Sequence, residues 1–337
     1  MGQALPSNTS VTAFCGIPLV SGDLPSGTAA AVLGAGSSLG SAHDGSENGP
    51  FFLRILSKVH TWAADDPGVF TLRHGRNALR GIADLGDLDF TGMQLSQALD
   101  TIADAVRALP TDVAPCVIGG DHSITLPVVR VLAERRTEPF LVVQFDHHLD
   151  LQIWEGAPND PRAKREPVFN TNVMSHVSDL VGPGRLIQVG VSPFATVEAR
   201  SLDAMRTFLD ATGRQLCLTD PELHDPALFR AAIGQGHDIY LSLDIDVLQR
   251  AEMSSTGYPA EIGLSTHTLL RLIDLVLDGN RLIGFDLVEF AANRSDRSDG
   301  TLSDAGRATA VFLHVLSWIS RQAGEKSDKR SETCQAR

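Results

Sequence analysis

Acids and histidines gather at four places along the chain. Asp121-His122 follows VIGG, Asp146-His147-His148-Leu149-Asp150 follows LVVQF, Asp244-Ile245-Asp246 follows IYLSL, and Glu289 closes LIGFDLV. Side chains alternate faces along a strand, so Asp146, His148 and Asp150 converge if their run stays extended. Asp244 and Asp246 do the same, while His147 and Ile245 turn away. Crowded carboxylates repel and raise one another's pKa values. Two divalent cations remove that conflict. The set of Asp146, Asp150, Asp244, Asp246, His122 and His148 is hard and oxygen-rich; it suits manganese, and zinc, cobalt, nickel and iron also bind imidazole and carboxylate. Two such ions about 3.5–4 Å apart can share a bridging hydroxide that is nucleophilic at neutral pH. The competing reading is a network of capping aspartates with histidines satisfied by backbone carbonyls. It gives no reason for the i, i+2, i+4 spacing.

Something must hold these residues in place. Short apolar runs precede each cluster: PCVIGG at 115–120, FLVVQFD at 140–146, DIYLSLDID at 238–246 and RLIGFDLVEF at 281–290, with RLIQVGV at 185–191 and VTAFCGIPL near the start. Between them lie segments such as LPVVRVLAERR and STHTLLRLIDLVLDG, with apolar residues at helical spacing. Alternation of strand and helix predicts a mostly parallel sheet with helices on both faces. Continuous rather than alternating apolar runs fit strands covered on both faces. In such sheets ligands bind outside the carboxyl ends of the strands, where these clusters fall. We read one domain over 1–322 and a polar tail over 323–337 that frays.

Composition narrows the function. The 337 residues carry a net charge of −13, which disfavours nucleic acid and anionic membrane surfaces as partners. The four cysteines have no paired spacing and read as free thiols of a reducing compartment. The N-terminus reads as no signal peptide, and no apolar stretch is long enough to cross a membrane. A cytoplasmic location follows as the expectation.

Three motifs carry a resemblance. GGDHS, DHHLD (a DxHxD run) and SLDID (an SxDxD run) resemble, in order and spacing, the signature motifs of the ureohydrolase family of arginases, agmatinases, guanidino-acid hydrolases and formiminoglutamases. Gly49-Pro50 with Arg54 resembles the family's GP-and-Arg segment, and Asp84-Leu85-Gly86-Asp87 its DxGD strand. The resemblance implies a three-layer α/β/α fold around an eight-stranded, arginase-like sheet, assembled as a homo-oligomer, a trimer or hexamer. It implies two divalent metal ions, with His122 and Asp150 on one, His148 and Asp246 on the other, and Asp146 and Asp244 bridging. It further implies that the bridging hydroxide attacks a guanidinium carbon and that urea leaves. The catalytic set is then His176 as proton shuttle to the leaving amine, Glu289 pairing with the guanidinium, and the ligand Asp150.

Four departures qualify the resemblance. His147 replaces a small residue between two ligands, where we expect it to pack behind the strand. Gln249-Arg250 and their neighbours replace an Asp-Pro segment, and Tyr258 stands where a small hydroxyl residue is usual. Val177 follows His176 in place of Gly. The segment between Asp150 and His176 is long; its Pro158, Pro161 and Pro167 argue against helix, and Arg162, Lys164 and Arg165 could meet a substrate carboxylate. The expected substrate is therefore a small guanidino compound, agmatine-like or guanidino-acid-like, rather than arginine. The alternatives are a formimino or amide hydrolase on the same scaffold, and a non-catalytic metal-binding subunit.

Overall fold

The computed structural model describes residues 12–61, 68–151, 167–195, 202–294 and 300–335. In chain order its elements are β1 (Ala30–Ala35), α1 (Gly49–Ser57), β2 (Phe70–Thr71), β3 (Arg76–Asn77), β4 (Ile82–Asp87), α2 (Leu95–Ala108), β5 (Ala114–Gly119), α3 (Thr125–Arg135) and β6 (Leu141–Phe145). Then follow α4 (Val173–Val181), β7 (Leu186–Val191), α5 (Leu202–Thr212), β8 (Gly213–Cys217), α6 (Pro226–Ile233), β9 (Asp238–Asp244), α7 (Thr266–Leu277), β10 (Arg281–Val288) and α8 (Gly300–Gln335). Eight strands make one sheet in the order β4-β1-β5-β10-β9-β6-β7-β8, and every pairing in it is parallel.

Two apolar cores lie on its two faces. Helices α1, α7 and α8 cover one, where Leu53, Leu272 and Phe312 meet inward residues such as Ile118, Val143 and Phe285. Helices α2, α3 and α4 cover the other, where Ile102, Val128 and Val177 meet Val117 and Val142. Alternate residues of one strand thus enter different cores. This is why the apolar runs are continuous.

Two departures from the sequence reading have physical causes. The described part of VTAFCGIPL contains a 3-10 turn at Phe14–Gly16 in which Cys15 has φ +48, and only an isolated bridge from Leu19 to Asp84 reaches the sheet. Gly16 and Pro18 break that run, because glycine weakens a strand and proline cannot donate to a ladder. The first strand is instead AAVLGA, whose small side chains give little strand propensity. The stretch from 323, expected to fray, continues α8 to Gln335. Its Glu, Lys, Arg and Gln are good helix formers, and no proline interrupts them.

Four adjacent central strands, β5, β10, β9 and β6, deliver all four acidic clusters to one end of the sheet. Leu287 pairs with Ile118, Val288 with Asp244, and Phe145 with Leu243. Side chains just beyond these pairs are held side by side across the sheet. Of the long segment after Asp150, residues 152–166, with Pro158, Pro161, Arg162, Lys164 and Arg165, lie outside the described residues.

Candidate metal centre

The turn after β5 is built by close backbone approach. A Cβ on Gly120 would run into the Ser37 carbonyl, to which the Asp121 amide donates at 2.7 Å. Asp121 is buried and caps the following 3-10 turn: its carboxylate accepts from the amides of Ser123 and Gly40, both at 2.8 Å. That turn leads into α3 and fixes His122, which is fully buried.

The other candidate ligands reach the same point by different backbone paths. Strand β6 stops at Phe145, so Asp146, His148 and Asp150 do not converge through an extended run. Asp150 instead takes a left-handed conformation, φ +50, uncommon for a residue with a side chain. Asp146 Oδ1 accepts the His148 amide at 2.6 Å, and Asp244 Oδ1 accepts the Asp246 amide at 2.9 Å. Each tight turn folds the second ligand back beside the first.

The result is one cluster. His122 Nδ1 lies 2.8 Å from Asp150 Oδ2, 3.3 Å from Asp146 Oδ2 and 3.2 Å from Asp244 Oδ2. His148 Nδ1 lies 3.1 Å from Asp246 Oδ2 and 3.5 Å from Asp146 Oδ1. Two overlapping groups with metal-ligand spacing result: His122, Asp146, Asp150 and Asp244, and Asp146, His148 and Asp246. All six expected ligands are in them.

Electrostatics fit a cation site. Burial and then the Asp146 charge push the Asp150 carboxyl up to about 6. Burial and then Asp246 and Asp146 hold Asp244 well above the usual carboxylate range. Asp246, despite burial, drives the His148 imidazole far upward. Burial opposes charge on His122, yet the three carboxylates around it win and raise its pKa. Protons here balance a surplus of negative charge. Two buried atoms, His122 Nδ1 and Asp246 Oδ1, find no hydrogen-bond partner of acceptable geometry despite their close neighbours. Both atoms belong to groups with metal-ligand spacing, and the donor set fits divalent ions.

A buried polar row beneath the cluster escaped the sequence reading. Asp286, Ser242, Gln144, Gln188 and Gln215 stand in register on β10, β9, β6, β7 and β8. Asp286 accepts from Ser242 at 2.8 Å, Thr125 at 2.8 Å and Tyr240 at 2.5 Å. Ser242 spends its proton on Asp286, so at 3.0 Å it must accept from His122 Nε2. That fixes the tautomer and leaves Nδ1 free to coordinate. On the other side Gln188 donates to Gln144 at 2.6 Å, and Gln144 to Asp146 at 2.5 Å. For Gln144, Ser242 and Gln188 the signal was a glutamine or serine inside an otherwise apolar run.

Glu289 follows β10 with φ +63, and its amide donates to the Gly120 carbonyl at 2.8 Å. Its Oε1 accepts the His122 amide at 2.8 Å and Asn170 Nδ2 at 3.2 Å. Burial and then the Asp121 charge push its carboxyl up to about 8. His122 therefore faces the cluster with its ring and Glu289 with its backbone. His176 is half-buried in α4, two residues beyond Met174, whose amide donates to the Asp150 carbonyl at 3.0 Å. His147 does not simply pack away: its ring meets His148 edge-on at 5.3 Å, and its buried Nδ1 has no hydrogen-bond partner.

The eight-stranded parallel sheet, with a paired His/Asp centre at the ends of its middle strands, defines an arginase-like class of metal-dependent α/β hydrolases. A family model described as the Arginase family matches residues 28–313. Among curated proteins, the chain is 30% identical over 276 residues to proclavaminate amidinohydrolase from Streptomyces clavuligerus, covering 79% of this chain and 81% of that protein. It is 28% identical to an agmatinase from Cronobacter sakazakii, covering 82% and 83%, and 27% identical to a formimidoylglutamase from Halobacterium salinarum, covering 73% and 77%. The solved proclavaminate amidino hydrolase superposes with a TM-score of 0.72 at 26% identity, covering 93% of this chain and 98% of that one. The chain belongs to the arginase family, and is a metal-dependent hydrolase acting on C–N bonds of linear amidines.

Proposed function

We propose that this chain cleaves a C–N bond of a guanidino compound, agmatine-like or guanidino-acid-like rather than arginine itself, and releases urea. The observation that carries this reading is the buried Glu289 carboxylate, seated on the backbone of the residue whose ring faces the metal ligands. A desolvated amidinium needs a compensating anion, and the cation's charge beside Glu289 would lower its raised carboxyl pKa, so that the pair forms as Glu289 gives up its proton.

His122, Asp146, Asp150, Asp244, Asp246 and His148 would hold two divalent ions, manganese in this reading. When bound, these supply Lewis acidity and lower the pKa of water so that it attacks at neutral pH. Asp150, held in its left-handed turn, serves as ligand within the catalytic set. His176, on the helix tied to Asp150, gives the proton with which the amine leaves as its bond to the amidino carbon breaks. A homo-oligomer is part of the same reading.

A urea-release screen tests it, using manganese-, nickel- and cobalt-loaded protein with agmatine, arginine, guanidinobutyrate, guanidinoacetate and guanidine. Urea from an amine- or acid-tailed compound, at higher kcat/KM than from arginine, is expected. No urea from any compound would overturn the proposal and favour formimino chemistry or a non-catalytic role. Glu289→Gln is expected to keep the metals and raise KM by roughly tenfold or more, because one hydrogen bond to a charged group is replaced by a neutral contact. An unchanged KM removes Glu289 from the site. Asp146→Ala and Asp244→Ala are each expected to lose metal and turnover together, as measured by elemental analysis and the urea assay.

A further inference from the structure

One oxygen of Glu289 is already engaged. Oε1 accepts from both the His122 amide and Asn170 Nδ2, which leaves Oε2 as the oxygen to meet a cation. Oε2 faces Gly257. A carbon placed at the Cβ position of Gly257 would stand 3.7 Å from Glu289 Oε2 and 3.6 Å from His43 Cδ2. Glu289 and His43 therefore flank a space about one carbon wide, and it is open because residue 257 has no side chain. The next residue, Tyr258, meets the His43 ring edge-on at 4.7 Å and the ring of the ligand His148 at 6.1 Å. His43, Tyr258 and His148 thus form a continuous line of rings from the flank of Glu289 to the metal ligands. Tyr258 is 50% exposed and His43 partly buried, so this line is partly open to solvent.

We infer that His43 and Tyr258 are specificity-determining residues: their rings, set edge to face, form an angular aromatic wall against the carbon chain next to the substrate's amidinium group. The site would thereby select guanidino compounds that carry a methylene tail over guanidine and methylguanidine. The inference rests on the guanidino reading above for where the amidinium sits. The physical reason is direct. A guanidinium on Oε2 has its substituent leaving through the space beside Gly257, and methylene groups leave water there by lying on ring faces. The segment that carries the wall is firmly held. Ser255 O accepts the Ala291 amide at 2.8 Å, two residues beyond Glu289, and Ser254 and Ser255 are both bonded to Asp304 of α8. The His43 amide donates to Ser41 Oγ at 3.1 Å, and the Asn170 amide to the Gly40 carbonyl at 2.9 Å, which fastens the loop after β1 to the Glu289 side.

The test compares methylguanidine with butylguanidine on manganese-loaded protein, by calorimetric binding and by urea release, in the native chain, Tyr258→Thr, Tyr258→Phe and His43→Ala. The native chain is expected to prefer butylguanidine. Losing the ring in Tyr258→Thr should shrink that preference about tenfold, roughly the contribution of two buried methylene groups. Tyr258→Phe keeps the ring and should keep the preference, and His43→Ala should reduce it. An unchanged preference in Tyr258→Thr overturns the wall, and so does an equal loss for both compounds. Calorimetry separates this inference from the reaction itself. Binding that follows the wall pattern without urea release defeats the urea-forming reading and leaves the wall standing. Failure of both compounds to bind defeats both.

Discussion

At the scale of single residues, the candidate ligand cluster was legible and its supports were not. Asp146, His148, Asp150, Asp244, Asp246 and His122 could be read because acids and imidazoles at strand ends have few other uses. Asp286 could not, since one aspartate within an apolar run carries no pattern. Only the register of β9 and β10 shows that it faces Ser242, and only the hydrogen bonds show that it governs His122. Its carboxyl, raised by burial, is held by three hydroxyls. Asp286→Asn replaces one acceptor oxygen by an N–H donor, which competes with His122 Nε2–H for the Ser242 oxygen. We expect it to weaken metal binding roughly 10–100-fold while the fold persists. Competition with a graded series of chelators measures this, and native-like retention of metal would show that Asp286 does not position His122.

At the scale of elements, five of the six apolar runs are strands, because β-branched residues in short continuous runs suit a sheet buried on both faces. The left-handed conformations of the candidate site residues Asp150 and Glu289 were invisible in sequence, since nothing in their type requires φ above zero. The segment after Asp246 departs in sequence from the family, yet it closes on itself through backbone bridges from Leu248 to Leu264 and Gln249 to Ala260. Asp304, in the first turns of α8, supplies the pin. One of its oxygens accepts from the amides and hydroxyls of both Ser254 and Ser255, at 2.8–3.1 Å. Asp304→Ala would remove the acceptor that these buried donors share. We expect a loss on the order of 3 kcal/mol, seen as a lower thermal midpoint, and a raised KM from a displaced Gly257 and Tyr258. A variant with native midpoint and KM would show that α8 does not brace this segment.

At the scale of the whole molecule, metal and proton compete for one set of groups. Asp150, Asp244, His122 and His148 all have raised pKa values in the metal-free chain, so divalent ions must expel protons in order to bind. Affinity should therefore fall as pH falls, and binding should release protons, which titration in buffers of different ionisation enthalpy detects. A pH-independent affinity would contradict the ligand set. Metal that binds only the folded chain also stabilises it, by about 2.7 kcal/mol at a hundredfold excess over Kd, and so raises its unfolding midpoint.

The polar row from Asp286 to Gln215 has one more consequence. In an aliphatic sheet, a strand that slips along its neighbour still finds oil opposite oil. Here a slip of one strand would strand a buried amide or carboxylate against leucine and valine, at roughly 1–3 kcal/mol for each group left unpaired. The row acts as a set of alignment pins across five strands. Because Ser242 and Gln144 are the same pins that hold His122 and Asp146, a chain misaligned during folding cannot assemble the ligand cluster. Metal uptake during refolding should then mark the moment at which the sheet reaches its native alignment.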